Sequence, residues 1–453
     1  MGATSVVEEG NKEVIEDNIS QIELKSEDVI DPNKMAELKA RNQAKQNQEK
    51  NMSARIVQKK EKALKFGCLG SGQAGGRLVS EFYKAGYPSI ACNTALQDLK
   101  FLDLPDANKL LLEYGVGGAS KELSIGAEAA ELHKAEIMEL INDKLSDSQV
   151  NILCFSLGGG SGAGSSSCLI DLLTSTGKPL VVITILPLVS DDLQTKQNSL
   201  EVLSKLADCA RSKKISNLIV IDNAKIETIF KDANQFDFFN LANKSIVDTL
   251  DVFNSLSAQP SAIKGIDPME FSKILIDGEG LSVYGEFSVE NYTEDTAIAE
   301  AVVNNLNNNL LATGFDLKQS KYVGFIVCGN KQSWSKVPAS SINYASAMIN
   351  DLCGNPKGVF KGVYTTDMPE DIIRVYSFFS GLSLPSERID QLKNETTQMH
   401  SQNKNKDEHR NLSLQVNHNG NESVSQAQQV KNKIAQKAST FGKFVSGTVD
   451  RRK

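Results

Sequence analysis

The sequence predicts an α/β protein whose first half is a parallel sheet covered on both faces, and three observations carry that reading. Apolar runs at 64–69, 90–92, 151–157, 180–186 and 218–221 are short and nearly uninterrupted, as in strands buried on both sides. Helical patterns at 126–145, 165–175 and 193–209 separate them, which implies parallel βαβ units. Two glycine-rich turns each follow one of these strands and open a helix.

Composition narrows the class. The 453 residues are 40% hydrophobic and 23% charged, an ordinary globular balance with room for two or three domains. A net charge of -7 argues against a mainly basic nucleic-acid or membrane binder. No apolar run approaches the roughly 20 residues needed to span a bilayer. The acidic start, MGATSVVEEGNKEVIEDN, has no apolar stretch of a secretory signal, and its Gly2 reads as part of a plain polar terminus. A cytoplasmic protein is expected. The seven cysteines stand singly, without a CxxC pair, so neither a disulfide nor a zinc framework is expected. Three of the four histidines (His400, His409 and His418) lie near the polar C-terminal end, which argues against a His-centred catalytic site. The fourth, His133, is expected on the solvated face of the helix at 126–145.

Six segments follow along the chain. Residues 1–64 form a polar extension in which a solvated helix is expected, and 65–238 hold the first α/β domain. A connector helix spans 239–258. A second, smaller α/β domain at 259–392 has strands at 281–289, 321–327, 361–366 and 372–378, a helix at 294–311, and another opening near Pro385. Residues 393–429 are rich in Asn, Gln, Ser and Lys and read as a disordered linker. Residues 430–453 carry seven Lys/Arg against one Asp, with apolar residues on one side of a glycine-weakened amphipathic helix. That tail suits docking on a protein, an anionic lipid or DNA; a solvated tail explains the same pattern.

The chemistry sits in the glycine turns. The first, GSGQAGGR at 70–77, lets backbone N–H groups approach phosphate oxygens beside a helix N-terminus. A dinucleotide oxidoreductase would use such a turn, but it wants an acid at the tip of the second strand, where Cys92, Asn93 and Thr94 stand. The second turn, GGGSGAG at 158–164, has five glycines in seven residues and suits a di- or triphosphate. It lacks the lysine of a P-loop, and Ala163 replaces the last glycine of a hydrolase elbow.

With both turns in hand, the chain resembles the tubulin/FtsZ superfamily, whose signature GGGTGTG is similar to GGGSGAG. Residues 91–94 (ACNT) resemble its second-strand motif, and 114–120 (YGVGGAS) its γ-phosphate loop. LIVIDNAKI (218–226), DPMEFSKIL (267–275) and YSFFSGLSLP (376–385) are similar to segments of the TubZ branch of plasmids and phages. The resemblance covers about residues 64–392. It implies a tubulin/FtsZ-like fold: a Rossmann-type parallel-sheet GTPase domain, a long connector helix and a smaller α/β domain, with polar tails.

It also implies a site for GTP or GDP with Mg²⁺, no metal-ligating side chain being assigned. Gly72, Gln73, Ala74, Gly75 and Arg77 would serve the first phosphate loop and Asn93 the second strand. Gly118, Ala119 and Ser120 would face the γ-phosphate, and Gly159, Gly160, Ser161 and Gly162 would wrap the phosphates. Asn223 would bond the guanosine, Asn243 would read the guanine edge, and Phe239, one helical turn earlier, would stack on it. Asp191 and Asp192 are candidates for the ribose, although their stretch departs from the FtsZ pattern and a solvated acidic turn describes it equally. Asp267 and Glu270 are the expected catalytic pair, delivered to the nucleotide of a neighbouring subunit; the same spacing also describes a helix cap.

The implied function is a self-assembling GTPase whose head-to-tail filament partitions plasmid or phage DNA through a small DNA-binding TubR-like adaptor, docked on the basic tail. Alternatives are a division or phage-centring filament, with the tail on a membrane, and a nicotinamide-dependent oxidoreductase that leaves the second glycine turn unexplained.

Overall fold

The computed structural model describes residues 61–229, 238–261, 263–289, 291–308, 314–368 and 371–408. Nearly all of the extension at 1–64, and all of the tail at 430–453, lie outside them.

The first half runs β1 (Phe66–Ser71), α1 (Gly72–Lys84), β2 (Ser89–Asn93), α2 (Leu96–Lys100), β3 (Lys109–Leu111), α3 (Leu123–Leu132), α4 (Lys134–Leu145), β4 (Val150–Ser156), α5 (Ser161–Ser175), β5 (Leu180–Leu186), α6 (Leu193–Arg211), β6 (Asn217–Asp222) and α7 (Asn223–Ile229). The connector is α8 (Phe238–Leu256). Then come α9 (Pro268–Leu275), β7 (Leu281–Val289), α10 (Ala297–Asn308), β8 (Tyr322–Gly329), α11 (Lys331–Trp334), α12 (Ser341–Leu352), β9 (Gly358–Thr365), β10 (Ile373–Leu382) and α13 (Ser386–Glu408).

The strands join one ten-stranded sheet in the order β3-β2-β1-β4-β5-β6-β7-β10-β8-β9. From β3 to β6 every pairing is parallel, and the order 3-2-1-4-5-6 is that of a doubly wound sheet, so the strand C-terminal ends form one ligand-binding edge. β1, β4, β5 and β6 are buried on both faces, apart from Ser156 at the tip of β4, as their apolar runs require. The sheet continues past the connector through two residue pairs, Leu218 with Leu281 and Ile219 with Ser282. β10 then runs antiparallel between β7 and β8.

Helix α8 ties the halves together. Asn254, fully buried, accepts from Leu64 N–H at 2.7 Å and donates to Leu64 C=O at 2.8 Å, fixing the entry to β1. Phe253 stacks on Phe271 of α9 at 6.1 Å and meets the edge of Phe378 of β10 at 5.6 Å. All seven cysteines are free and six are buried. Among the described residues no helix is long and apolar enough to cross a membrane.

Four details differ from the sequence reading. Helices α1 and α5 begin at Gly72 and Ser161, earlier than the apolar periodicity showed, because glycine and serine turns carry no hydrophobic signal. The helix expected at 126–145 breaks at His133, which caps the end of α3 and the start of α4. His133 is therefore a half-buried splice and not a solvated-face residue: its Nδ1 pairs with Glu136 at 2.9 Å and its Nε2 with Glu113 C=O at 3.1 Å. β3 and α12 were not foreseen, being a three-residue half-buried strand and a helix of mixed polarity. Finally, α13 continues to Glu408, well into the stretch read as a disordered linker. Its Gln, Lys and Glu residues are good helix formers, and Gln391 reaches Glu395 one turn on at 2.9 Å.

Candidate functional site

Two helix N-termini meet at the C-terminal edge of the sheet. Helices α1 and α5 start with no side-chain cap, so their first-turn N–H groups have no partner of that kind. They approach closely: a Cβ on Gly72 would stand 3.0 Å from Gly162 N, and one on Gly162 would stand 2.7 Å from Ser71 O. Gly75 is needed for packing, since a Cβ there would lie 2.1 Å from Cys154 O of β4. Hydroxyl pairs lock the junction, Ser71 with Ser165 at 2.8 Å and Thr94 with Ser161 at 2.5 Å. Two uncapped helix ends side by side, with their dipoles pointing outward, make a site for a multiply charged anion.

The loop 114–121 completes that edge. Gly115, Gly117, Gly118, Ser120 and Lys121 all have positive φ, between 43° and 88°. Ser120 and Lys121 hold this conformation at a cost that glycine avoids, the kind of strain found where backbone amides must face a ligand. Gly118 N–H donates to Thr94 C=O at 2.8 Å, and Ala119 packs on Gly160, a Cβ there falling 2.7 Å from the Ala119 Cβ. Asn198 of α6 supports both loops, donating to Lys121 C=O at 2.7 Å and to Gly158 C=O at 3.2 Å.

The expected site residues sort into five groups. Gly72, Gln73, Ala74, Gly75, Arg77, Gly118, Ala119, Ser120, Gly159, Gly160, Ser161 and Gly162 all lie in these loops and first turns. The Asn93 side chain serves the local turn, donating to Asp98 at 3.0 Å and accepting from Ala95 N–H at 3.2 Å. Phe239, 38% exposed at the start of α8, comes next to the same edge: the Arg77 guanidinium lies 5.9 Å from its ring centroid. Asn243 is buried one turn further along, and Asn223 opens α7 half-buried.

Asp191 and Asp192 are largely engaged by their own turn. Asp191 accepts from Leu188 N–H at 2.8 Å. Asp192 caps α6, accepting from Thr195 N–H at 3.0 Å, and pairs with Lys121. Burial would raise the Asp192 carboxyl, but the Lys121 ammonium and the Thr195 donors hold it down at about 2.

Sequence reasoning missed a buried charge cluster behind this loop. Arg388 of α13 donates to Asp222 at 2.9 Å, and Lys196 pairs with Glu395 at 2.9 Å; Arg388, Asp222 and Lys196 are at most 3% exposed. Burial raises the Asp222 carboxyl against the opposing pull of Arg388. Lys225 of α7 has a buried ammonium with no hydrogen-bond partner, and burial pushes it down to about 8. No sequence signal joined these residues, which come from four elements, β6, α6, α7 and α13.

Asp267 and Glu270 form a reciprocal capping box on α9. Glu270 N–H donates to Asp267 at 2.7 Å and Asp267 N–H to Glu270 at 3.1 Å, with Pro268 in the first turn. Asp267 is exposed and Glu270 half-buried, and Ile263 and Met269 nearby in the chain are exposed apolar residues. Among the described residues neither carboxylate bonds or pairs with a glycine loop. The cap reading of the spacing thus holds, and it leaves the outer carboxylate oxygens free.

A doubly wound sheet, two uncapped glycine-rich helix ends and an aromatic beside them define a nucleotide-binding α/β protein without a P-loop lysine. Two family models then match in tandem: the tubulin/FtsZ family GTPase domain over residues 65–231, and the TubZ-like C-terminal domain of tubulin/FtsZ-like proteins over 252–393. The chain belongs to the tubulin/FtsZ family, on its TubZ-like branch. Tubulin-like protein TubZ of Bacillus cereus is 24% identical over 366 residues, 74% of this chain and 83% of that protein. Tubulin-like protein CetZ of Pyrococcus abyssi is 26% identical over 329 residues, 69% and 84% of the two chains. Among solved structures, a GTPγS-form protofilament of TubZ from Bacillus thuringiensis serovar israelensis superposes with a TM-score of 0.69 at 18% identity, covering 76% of this chain and 95% of that one.

Proposed function

We propose that the chain is a GTPase that assembles head to tail and hydrolyses GTP only between consecutive subunits. The observation that carries this is the separation of parts: an anion site at one sheet edge, and an exposed and a half-buried carboxylate on a capped helix that no glycine loop of the same chain meets. The two faces also carry exposed apolar residues suited to burial against each other. Val116 and Phe101 stand out near the glycine loops and Ile263 and Met269 beside Asp267, each more than 60% exposed. A head-to-tail contact of unlike faces is open-ended, so it yields filaments.

The amides of α1, α5 and the 114–121 loop hold the phosphates and stabilise charge on the transferring group. Phe239 stacks on the guanine, Asn243 and Asn223 bond the nucleoside, and Asp191 or Asp192 faces the ribose. Mg²⁺, bound by the phosphates, would neutralise further charge; among the described residues no cluster of three His, Cys, Asp or Glu side chains offers a separate metal site. Asp267 and Glu270 of the next subunit orient a water whose oxygen attacks the γ-phosphorus as the bond to the β-phosphate oxygen breaks. GDP and inorganic phosphate leave, and the contact weakens.

In the cytoplasm such a filament would move or retain plasmid or phage DNA through a TubR-like adaptor bound to residues 430–453. This last step rests on the relatedness to TubZ and on the tail's charge. Phosphate release measured against protein concentration tests the core proposal. The rate per subunit should rise with concentration and level off as filaments form in electron micrographs. Full turnover by a strictly monomeric preparation would remove it.

A further inference from the structure

Helix α13 reaches the first half of the molecule through Arg388 and Glu395. Arg388, in its first turn, has three partners: Nε donates to Asp222 at 2.9 Å, Nη2 donates to Pro187 C=O at 3.1 Å, and Nη1 lies 3.6 Å from Glu395, two turns along the same face of the helix. Glu395 also meets Lys196, whose Nζ donates to Val189 C=O at 2.6 Å. Two buried cations thus each grip a carbonyl of the loop 187–192 and share one carboxylate.

On the other side, Asp222 passes the constraint to α7. It accepts from Ala224 N–H at 3.1 Å, which fixes the turn where Asn223 begins the helix. The two segments expected around the nucleoside, 187–192 and Asn223, are therefore held by the same guanidinium. An apolar residue packed at this depth would stabilise the fold as well as a buried ion pair does. What it would not do is hold a backbone carbonyl and two carboxylates from one planar fork, as the Arg388 guanidinium does.

We infer that Arg388, backed by Lys196 and Glu395, is a positioning residue for the nucleoside side of the site, so that guanine-nucleotide affinity and the seating of α13 rise and fall together. The inference rests on the function proposed above, in which Asn223 and the 187–192 loop flank the nucleoside. Coupling of this kind is reciprocal: if α13 supports nucleotide binding, bound nucleotide must protect α13.

The test uses the full chain and a fluorescent GDP analogue. Arg388→Gln should weaken binding by about tenfold or more, with Arg388→Lys in between, because a lysine retains the charge but at most part of the fork. Hydrogen exchange of the unaltered chain supplies the second arm: saturating GDP should slow amides between residues 389 and 395 severalfold. A folded Arg388→Gln protein that binds as tightly as the parent overturns the inference. Should that variant not fold, unchanged exchange in α13 of the parent on adding GDP overturns it instead. A parent chain that binds no guanine nucleotide overturns the proposed function and this inference with it.

Discussion

Helices α5 and α9 begin in opposite ways. α5 starts at Gly160 and Ser161 with no side-chain cap, beside the equally uncapped α1. α9 starts with Asp267 and Glu270 satisfying each other's N–H groups, and Pro268 removes another donor from the count. An open helix end binds an anion; a closed one cannot, but it holds its carboxylates in fixed positions. The first arrangement suits phosphate, and on the function proposed above the second presents acids to a neighbouring subunit.

Substitutions can break either side of this contrast. The largest effect is expected from Gly75→Ala, whose methyl would sit 2.1 Å from a β4 carbonyl. It should cost about 3 kcal/mol or more in denaturant unfolding and abolish binding of a fluorescent GDP analogue. At α9 the pair Asp267→Ala and Asp267→Asn separates cap from chemistry. Alanine should lower stability by about 1 kcal/mol, whereas asparagine, an equally good cap, should leave it nearly unchanged. Both should reduce phosphate release by about a hundredfold while nucleotide still binds. Wild-type turnover by the asparagine variant would show that the carboxylate charge is not used.

Lys225 sharpens the picture at the open end. Its folded pKa, about 8, lies below the unfolded value, so the unfolded chain binds more protons between pH 8 and about 10.5. The destabilisation is full below pH 8 and fades as pH rises through that window. Lys225→Met should therefore stabilise the nucleotide-free protein at pH 7 by about 1–2 kcal/mol, allowing for partial solvent screening, and the gain should vanish near pH 10.5. The smallest effect concerns α6, a capped helix beside the open ones. With its folded pKa depressed to about 2, Asp192 contributes stability above pH 4 that is lost as pH falls toward 2. Asp192→Asn, which keeps the cap, should flatten that part of the stability profile by a fraction of 1 kcal/mol.

Local signals made much of this molecule legible in its sequence. The buried strands announced themselves as apolar runs, and β5 and β7 fall at the expected residues. The glycine turns were legible because close backbone approach, of Gly75 to Cys154 and of Gly162 to Ser71, demands glycine, and composition alone reveals it. Where a helix starts inside such a turn was not legible, since Gly72 to Gly76 show no periodicity. The supports of the site were hidden for a different reason. Thr94 meets Ser161 across 67 residues and Asp222 meets Arg388 across 166, pairings that exist only once the sheet has brought the strand ends together. His133 shows the limit at short range: its neighbours are helix formers, and only its contact with Glu113 marks the break.

The β6–β7 joint, with two residue pairs against six between β5 and β6, sets the mechanics of the whole. So short a zip resists sliding yet offers little stiffness to tilting, and rigidity between the halves falls to α8, through Asn254 on one side and Phe253 on the other, and to the Arg388 and Glu395 contacts of α13. Any tilt of one half against the other would then pivot about Leu218 and Ile219.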